Sequence, residues 1–184
     1  MRAALVLAAG QSRRFGAADK LLTPVEGGPM LAHALEAARA AAGLRLATVS
    51  SEPVAALVRA HGFQPVPVPP GAPQSASLRA GLAAARQHGA THLLVLLGDM
   101  PFVQATDVAA LLALAGTEAA CATDGTTPLP PAVFPEALFA ALAGAQGDRG
   151  AGALLREIPA ARRLTLPPDR LRDIDRPEDL RAGP

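Results

Sequence analysis

The stretch that most constrains the fold is Thr-His-Leu-Leu-Val-Leu-Leu, residues 91–97. Its apolar run has strand length, and no polar residue interrupts it after His92. Such a run fits a central strand of a parallel sheet, buried on both faces. A strand buried on both faces needs helices above and below, and the chain supplies them. Ala3–Ala8, Leu44–Ser50 and Glu118–Thr123 also read as strands. Between the runs, apolar residues recur at helical spacing over Met30–Ala42, Val54–His61, Leu78–His88 and Thr106–Ala115. Pro29 and Pro53 stand where helices open, and Gly43 and Gly62 where they stop. Ser75 or Ser77 is placed to cap the helix at Leu78. Phe63–Val68 is broken by prolines and reads as an edge strand. The βα alternation predicts a three-layer α/β/α fold with a doubly wound, mostly parallel, Rossmann-like sheet. Residues 124–131 read as a loop, Ala132–Phe134, Arg162–Leu166 and Leu171–Ile174 as short strands, and Pro135–Ala143 as a helix. No repeat or linker divides the 184 residues, so a single domain over 1–184 is expected.

In doubly wound sheets ligands sit beyond the carboxyl ends of the strands. Two candidate loops fall there. The first strand runs into Ala8-Ala9-Gly10-Gln11-Ser12-Arg13-Arg14-Phe15-Gly16, with Lys20 close behind. Glycine lets backbone N–H groups approach a ligand closely. Arginine and lysine supply the charge a polyphosphate requires. The second loop is Gly98-Asp99-Met100-Pro101, after the strongest strand. A carboxylate there faces the crevice, and Mg²⁺ takes one or two carboxylates together with phosphate oxygens.

Composition narrows the partners. Net charge is +1, which gives no global field for nucleic acid or an anionic membrane. Trp and Tyr are absent and Phe is scarce, so stacking platforms for single strands are lacking. No stretch approaches a membrane span, and the short apolar run near Arg2 leads into a charged loop rather than a signal-peptide cleavage site. The lone Cys121 excludes an internal disulfide and a cysteine-based zinc cluster, and suits a reducing cytoplasm. His33, His61, His88 and His92 form no grouping with Ser and Asp, and acyl transfer has no support.

The glycine loop fits neither the dinucleotide fingerprint nor the Walker loop. It does fit Leu-Ala-Ala-Gly-x-Ser-x-Arg-Phe-Gly-x-x-x-Lys over residues 7–20, and this resembles the signature of the MobA-like NTP transferases. Gly98-Asp99-Met100-Pro101 resembles that family's metal motif. Residues 147–155 and 173–180 resemble segments of its molybdenum cofactor cytidylyltransferase branch. The resemblance implies transfer of CMP from CTP to a phosphorylated acceptor of molybdopterin type, with release of pyrophosphate and Mg²⁺ as cofactor. It also implies transient contact with a molybdoenzyme or its chaperone. Ala9 matches the cytidylyl rather than the guanylyl branch.

On the same resemblance, Lys20 and Arg14 are the catalytic positions. Leu7, Ala8, Ala9, Gly10, Ser12, Gly16 and Ser77 contact the nucleotide, and Asp99 and Asp175 hold the metal. Ser12 is placed either to bond a phosphate or only to stabilise its turn. Asp175 is placed either as a second metal ligand or as an N-cap before Pro177, and Asp173 is its substitute if the register shifts. Two departures stand out. The branch commonly has Gly-His-Pro where this chain has Leu129-Pro130-Pro131, and often has Arg where Gly152 stands. A sugar-phosphate nucleotidyltransferase and a non-catalytic nucleotide-binding accessory protein are the alternative readings.

Overall fold

The computed structural model describes residues 1–10, 19–41, 43–147, 151–174 and 179. In chain order the elements are β1 (Arg2–Ala8), β2 (Pro24–Val25), β3 (Gly28–Pro29), α1 (Met30–Ala38), β4 (Leu44–Val49), α2 (Glu52–Ala60) and β5 (Gln64–Pro67). They continue with α3 (Gln74–Gln87), β6 (His92–Leu97), α4 (Ala105–Ala115), β7 (Ala120–Thr123), β8 (Pro128–Pro135), α5 (Phe139–Ala143), α6 (Gly152–Glu157) and β9 (Arg163–Thr165). Seven strands form one sheet in the order β5-β4-β1-β6-β8-β7-β9, and β2 and β3 make a small antiparallel ladder of their own. All pairings in the large sheet are parallel except those of β8, which runs against both β6 and β7.

Side-chain alternation along the central strands builds two cores. Ala4 and Val6 of β1 and Leu94 and Leu96 of β6 face α1 and α4, among Leu31, Leu35 and Leu111. Ala3, Leu5, Leu93 and Val95 face the other side, where Leu78 and Leu82 of α3, Phe139 of α5 and Leu155 of α6 cover them. α3 lies so close to the sheet that a Cβ on Gly81 would overlap the side chain of Leu5.

The mostly parallel α/β/α layering follows the sequence pattern, with differences that have local causes. β6 is buried as its apolar run demands, but only its β1 neighbour is parallel. α3 begins at Gln74, and Pro73 is its N-cap residue without a side-chain cap bond. Ser75 and Ser77 therefore lie inside the helix, 1% and 3% exposed, and neither caps it. Residues 128–131 extend β8 rather than forming a loop. The prolines are tolerated because the β7–β8 register shifts between Cys121 and Ala122. Pro130 and Pro131 fall at that irregularity, and β6 pairs with β8 only from Ala132 onward. Leu171–Ile174 is not a strand. Pro168–Leu171 makes a 3-10 turn, and Ile174 then donates its N–H to the Asp99 carbonyl at 3.0 Å.

Candidate active site

The site is built from the carboxyl ends of β1, β4 and β6. Thr48, fully buried on β4, brings its Oγ1 to 3.4 Å from the Ala8 N–H, and Ser50 Oγ lies 3.5 Å from the Ala9 carbonyl. These contacts hold the Ala8-Ala9-Gly10 corner against β4. Ala8 and Ala9 are buried and Gly10 is exposed, so the chain leaves the sheet at Gly10. On the other side, the Gly98 N–H donates to the Leu7 carbonyl at 2.9 Å. A Cβ on Gly98 would stand 3.0 Å from Leu31 Cδ1 and 3.1 Å from the Leu7 oxygen, so glycine permits the approach. The backbone then delivers Asp99 to the crevice.

Lys20 reaches the same point from the opposite loop. Asp19 precedes it, and the Asp19 Oδ1 accepts from the Leu21 N–H at 3.1 Å, starting a 3-10 turn over Lys20–Leu22. Ser51 Oγ lies 3.4 Å from Asp19 Oδ2, tying that turn to the end of β4. Lys20 Nζ pairs with Asp99 Oδ2 at 2.9 Å, although the residues are far apart in sequence. The Lys20 side chain is 10% exposed and that of Asp99 29%, so the pair sits at the mouth of the crevice.

Of the residues expected from sequence, Leu7, Ala8, Ala9, Gly10, Lys20 and Asp99 gather at this edge. Ser77 is near-fully buried in the first turns of α3. Ser12, Arg14, Gly16 and Asp175 lie outside the described residues. Sequence reasoning passed over Asp19, Thr48 and Ser50 and named Gly98 only as part of its motif; all four position the others. Asp19 carried a signal, because aspartate before a short helical turn is a preferred cap. The other three act through packing and strand register, which leave no local mark.

The donor set suits a hard cation. Asp99 offers carboxylate oxygen at a partly exposed position. Among the described residues no group of three or more His, Cys, Asp and Glu gathers. A cation here would therefore complete its shell with phosphate oxygens, water or a further carboxylate, as Mg²⁺ does. The bond from the Ile174 N–H to the Asp99 backbone carbonyl ties the late segment of the chain to the backbone that carries this carboxylate.

The family profile of the MobA-like NTP transferase domain matches residues 4–163, which include this edge of the sheet. The chain belongs to that nucleotidyltransferase family. It is 36% identical over 119 residues to the bifunctional protein GlmU of Cupriavidus necator, covering 62% of this chain and 26% of GlmU. The chain thus spans about a quarter of the length of that relative. The crystal structure of Rv0371c from Mycobacterium tuberculosis H37Rv superposes with a TM-score of 0.79 at 29% identity, covering 97% of this chain and 95% of that one. A manganese complex of Rv0371c matches with a TM-score of 0.69 at 27% identity, over 90% and 87% of the two chains. 4-Diphosphocytidyl-2C-methyl-D-erythritol synthase shares the fold at 19% identity, with a TM-score of 0.69 and coverage of 98% and 96%. Among the described residues no helix is long and apolar enough to cross a membrane.

Proposed function

We propose that the chain transfers CMP from CTP to a phosphorylated small-molecule acceptor of molybdopterin type. The observation that carries this reading is the Lys20–Asp99 pair, at 2.9 Å, beyond the carboxyl ends of β1 and β6. A phosphate oxygen of the acceptor forms a bond to the α-phosphorus of CTP. The bond from that phosphorus to the bridging oxygen breaks, and pyrophosphate leaves with the electron pair. The acceptor phosphate is already ionised, so the protein needs no general base. Its work is positioning and charge stabilisation.

Gly10 and its neighbours, with Ser12, Gly16 and Arg14, bind the β and γ phosphates. Lys20 stands by the α-phosphate, where charge develops. Ser77 and the Ala8–Ala9 corner border the nucleoside, and the choice of CTP rests on Ala9. Asp99, with Asp175, holds the divalent metal. When bound, Mg²⁺ supplies positive charge to the phosphate oxygens. The manganese complex of Rv0371c supports a divalent cation here. The lone, buried Cys121 accords with a cytoplasmic setting.

Pyrophosphate release from a panel of nucleoside triphosphates, against molybdopterin and glucose 1-phosphate, tests the reading. Release with CTP and molybdopterin is expected. Release only with glucose 1-phosphate replaces the acceptor, and CTP binding without release under either acceptor makes the chain a nucleotide sensor.

A further inference from the structure

The segment Pro167-Pro168-Asp169-Arg170-Leu171-Arg172-Asp173-Ile174 runs beside the loop that joins β6 to α4. Its two prolines stiffen the entry, and the Arg170 N–H donates to the Pro167 carbonyl at 2.9 Å within the 3-10 turn. Alternate residues then meet successively earlier positions of the neighbouring loop and helix. Arg170 Nη1 pairs with Asp107 Oδ2 at 2.8 Å. The Arg172 guanidinium carbon stands 4.7 Å from the centre of the Phe102 ring, a cation–π contact. The Ile174 N–H donates to the Asp99 carbonyl at 3.0 Å.

Asp107 is the junction. Its Oδ2 also accepts from the Gln104 N–H at 2.9 Å, as part of the capping box that opens α4. One oxygen thus sets the register of helix, loop and segment. The Asp107 side chain is 12% exposed, so water competes little for it. At the other end, Ile174 is fully buried with Val25 and Met30, and Phe102 packs against them. The Met30 N–H donates to the Thr23 carbonyl at 2.9 Å, and the Thr23 N–H to the Lys20 carbonyl at 3.1 Å. Ile174 therefore joins the two arms that carry the Lys20–Asp99 pair. Burial of Leu171 and Ile174 anchors the segment in the core. Arg170, Arg172 and Phe102 also border a cavity of about 400 Å³, whose walls include Glu26, His33 and Glu36. Packing does not hold the segment on that flank, which leaves its register to the arginine contacts.

We propose that Arg170 is a positioning residue of the cation site: through Asp107 and Ile174 it holds the Asp99 backbone where the carboxylate can meet a divalent metal. Arg172 serves the same end through Phe102. The inference rests on the nucleotidyltransferase reading, in which Asp99 binds the metal, and adds to it residues that act through the backbone. Outer partners that orient a metal ligand typically change affinity by roughly 10–100-fold when removed. An ion pair that only stabilised the fold would leave the affinity of the folded protein unchanged. Charge alone points the other way, because removing an arginine makes the local field more favourable to a cation. Weaker metal binding in Arg170→Ala is therefore the signature of lost position.

Manganese titration of the nucleotide-free chain tests this, read by the paramagnetic resonance signal of free Mn²⁺ below every variant's melting transition. Wild type should bind Mn²⁺, and Asp99→Asn should bind it far less. Arg170→Ala should bind on the order of tenfold more weakly, Arg170→Lys should recover part of the loss, and Arg172→Ala should lose less. Asp107→Asn keeps an oxygen for the Gln104 N–H and should match Arg170→Ala, and the double variant should lose no more than either single one. Gly81→Ala strains the α3 side of the sheet and should bind as wild type, which controls for lost stability. Amide exchange at Ile174 reads its bond to Asp99 directly, and protection should fall in step with Mn²⁺ affinity. Arg170→Ala that binds Mn²⁺ like wild type, or no worse than Gly81→Ala, overturns the proposal and leaves the proposed function standing. Unchanged Ile174 protection in Arg170→Ala overturns it as well. Wild type that ignores Mn²⁺, or Asp99→Asn that binds it equally, defeats the metal reading itself and this proposal with it.

Discussion

Lys20→Ala separates the two jobs assigned to this lysine. Its ammonium lies 2.9 Å from Asp99 Oδ2, with the lysine side chain 10% exposed and the aspartate 29%. An exposed pair contributes roughly 0–1 kcal/mol. Breaking a fully buried pair by removing one partner costs about 3–5 kcal/mol. Asp99 can recover water through its exposed face, so a stability loss of about 1–3 kcal/mol is expected. For a chain of this size each kcal/mol lowers Tm by about 2–4 °C. The kinetic effect is of another kind. A preorganised charge removed from the transition state costs on the order of 10²–10³ in turnover, about 3–4 kcal/mol. Pyrophosphate release under saturating CTP at 25 °C, with scanning calorimetry on the same sample, reads both. The protein should remain folded at that temperature while turnover collapses, and Lys20→Arg should retain more of it. A folded Lys20→Ala protein with near-normal turnover would refute the catalytic role and leave the pair a structural tie.

Gly81→Ala should destabilise by about 1–3 kcal/mol, although alanine is ordinarily favoured over glycine in helices. The added methyl meets fully buried Leu5, and the fall in urea midpoint should shrink when Leu5→Ala is added; a stabilised single variant contradicts the packing. Asp124 Oδ1 accepts from the N–H groups of Thr127 at 2.7 Å and Thr126 at 2.8 Å, and from the Thr126 hydroxyl. These bonds hold its carboxyl below the usual carboxylate range. A lowered folded-state pKa means the turn is supported above the ordinary value and loses that support as pH falls through the lowered one. Amide-exchange protection at Thr126 and Thr127 should follow that course, and Asp124→Ala should lack both the protection and its pH step. Unchanged protection in the variant would show that the turn holds without the carboxylate. Burial raises the pKa of the Cys121 thiol, and its side chain is fully enclosed. Iodoacetamide should label it only in denaturant; fast labelling of native protein would show that β7 opens.

The layering was legible because β6 and β1 carry unbroken apolar runs and the helices between strands carry a clear period. What was hidden is instructive. Antiparallel β8 begins in a proline-rich segment that reads as loop, because only the shifted register of β7 shows where Pro130 and Pro131 escape the ladder. α3 swallowed Ser75 and Ser77 because a helix can start without a side-chain cap when its face is well packed. In the site, Lys20 and Asp99 were visible as residue types in a recognisable pattern. Their pairing was not, because no local signal spans that separation. Asp19 and Thr48 escaped notice, and Gly98 was noticed only within its motif, because their roles are to position neighbours.

The most direct measurement is transfer of label from α-³²P-CTP to an acceptor phosphate, with wild-type and Asp99→Asn protein side by side in Mg²⁺. The account predicts a labelled cytidine diphosphate ester of the acceptor and unlabelled pyrophosphate in equal amounts from wild type, and neither above background from Asp99→Asn. Label transferred equally by both proteins, or retained in CTP after acceptor and metal are saturating, would contradict it.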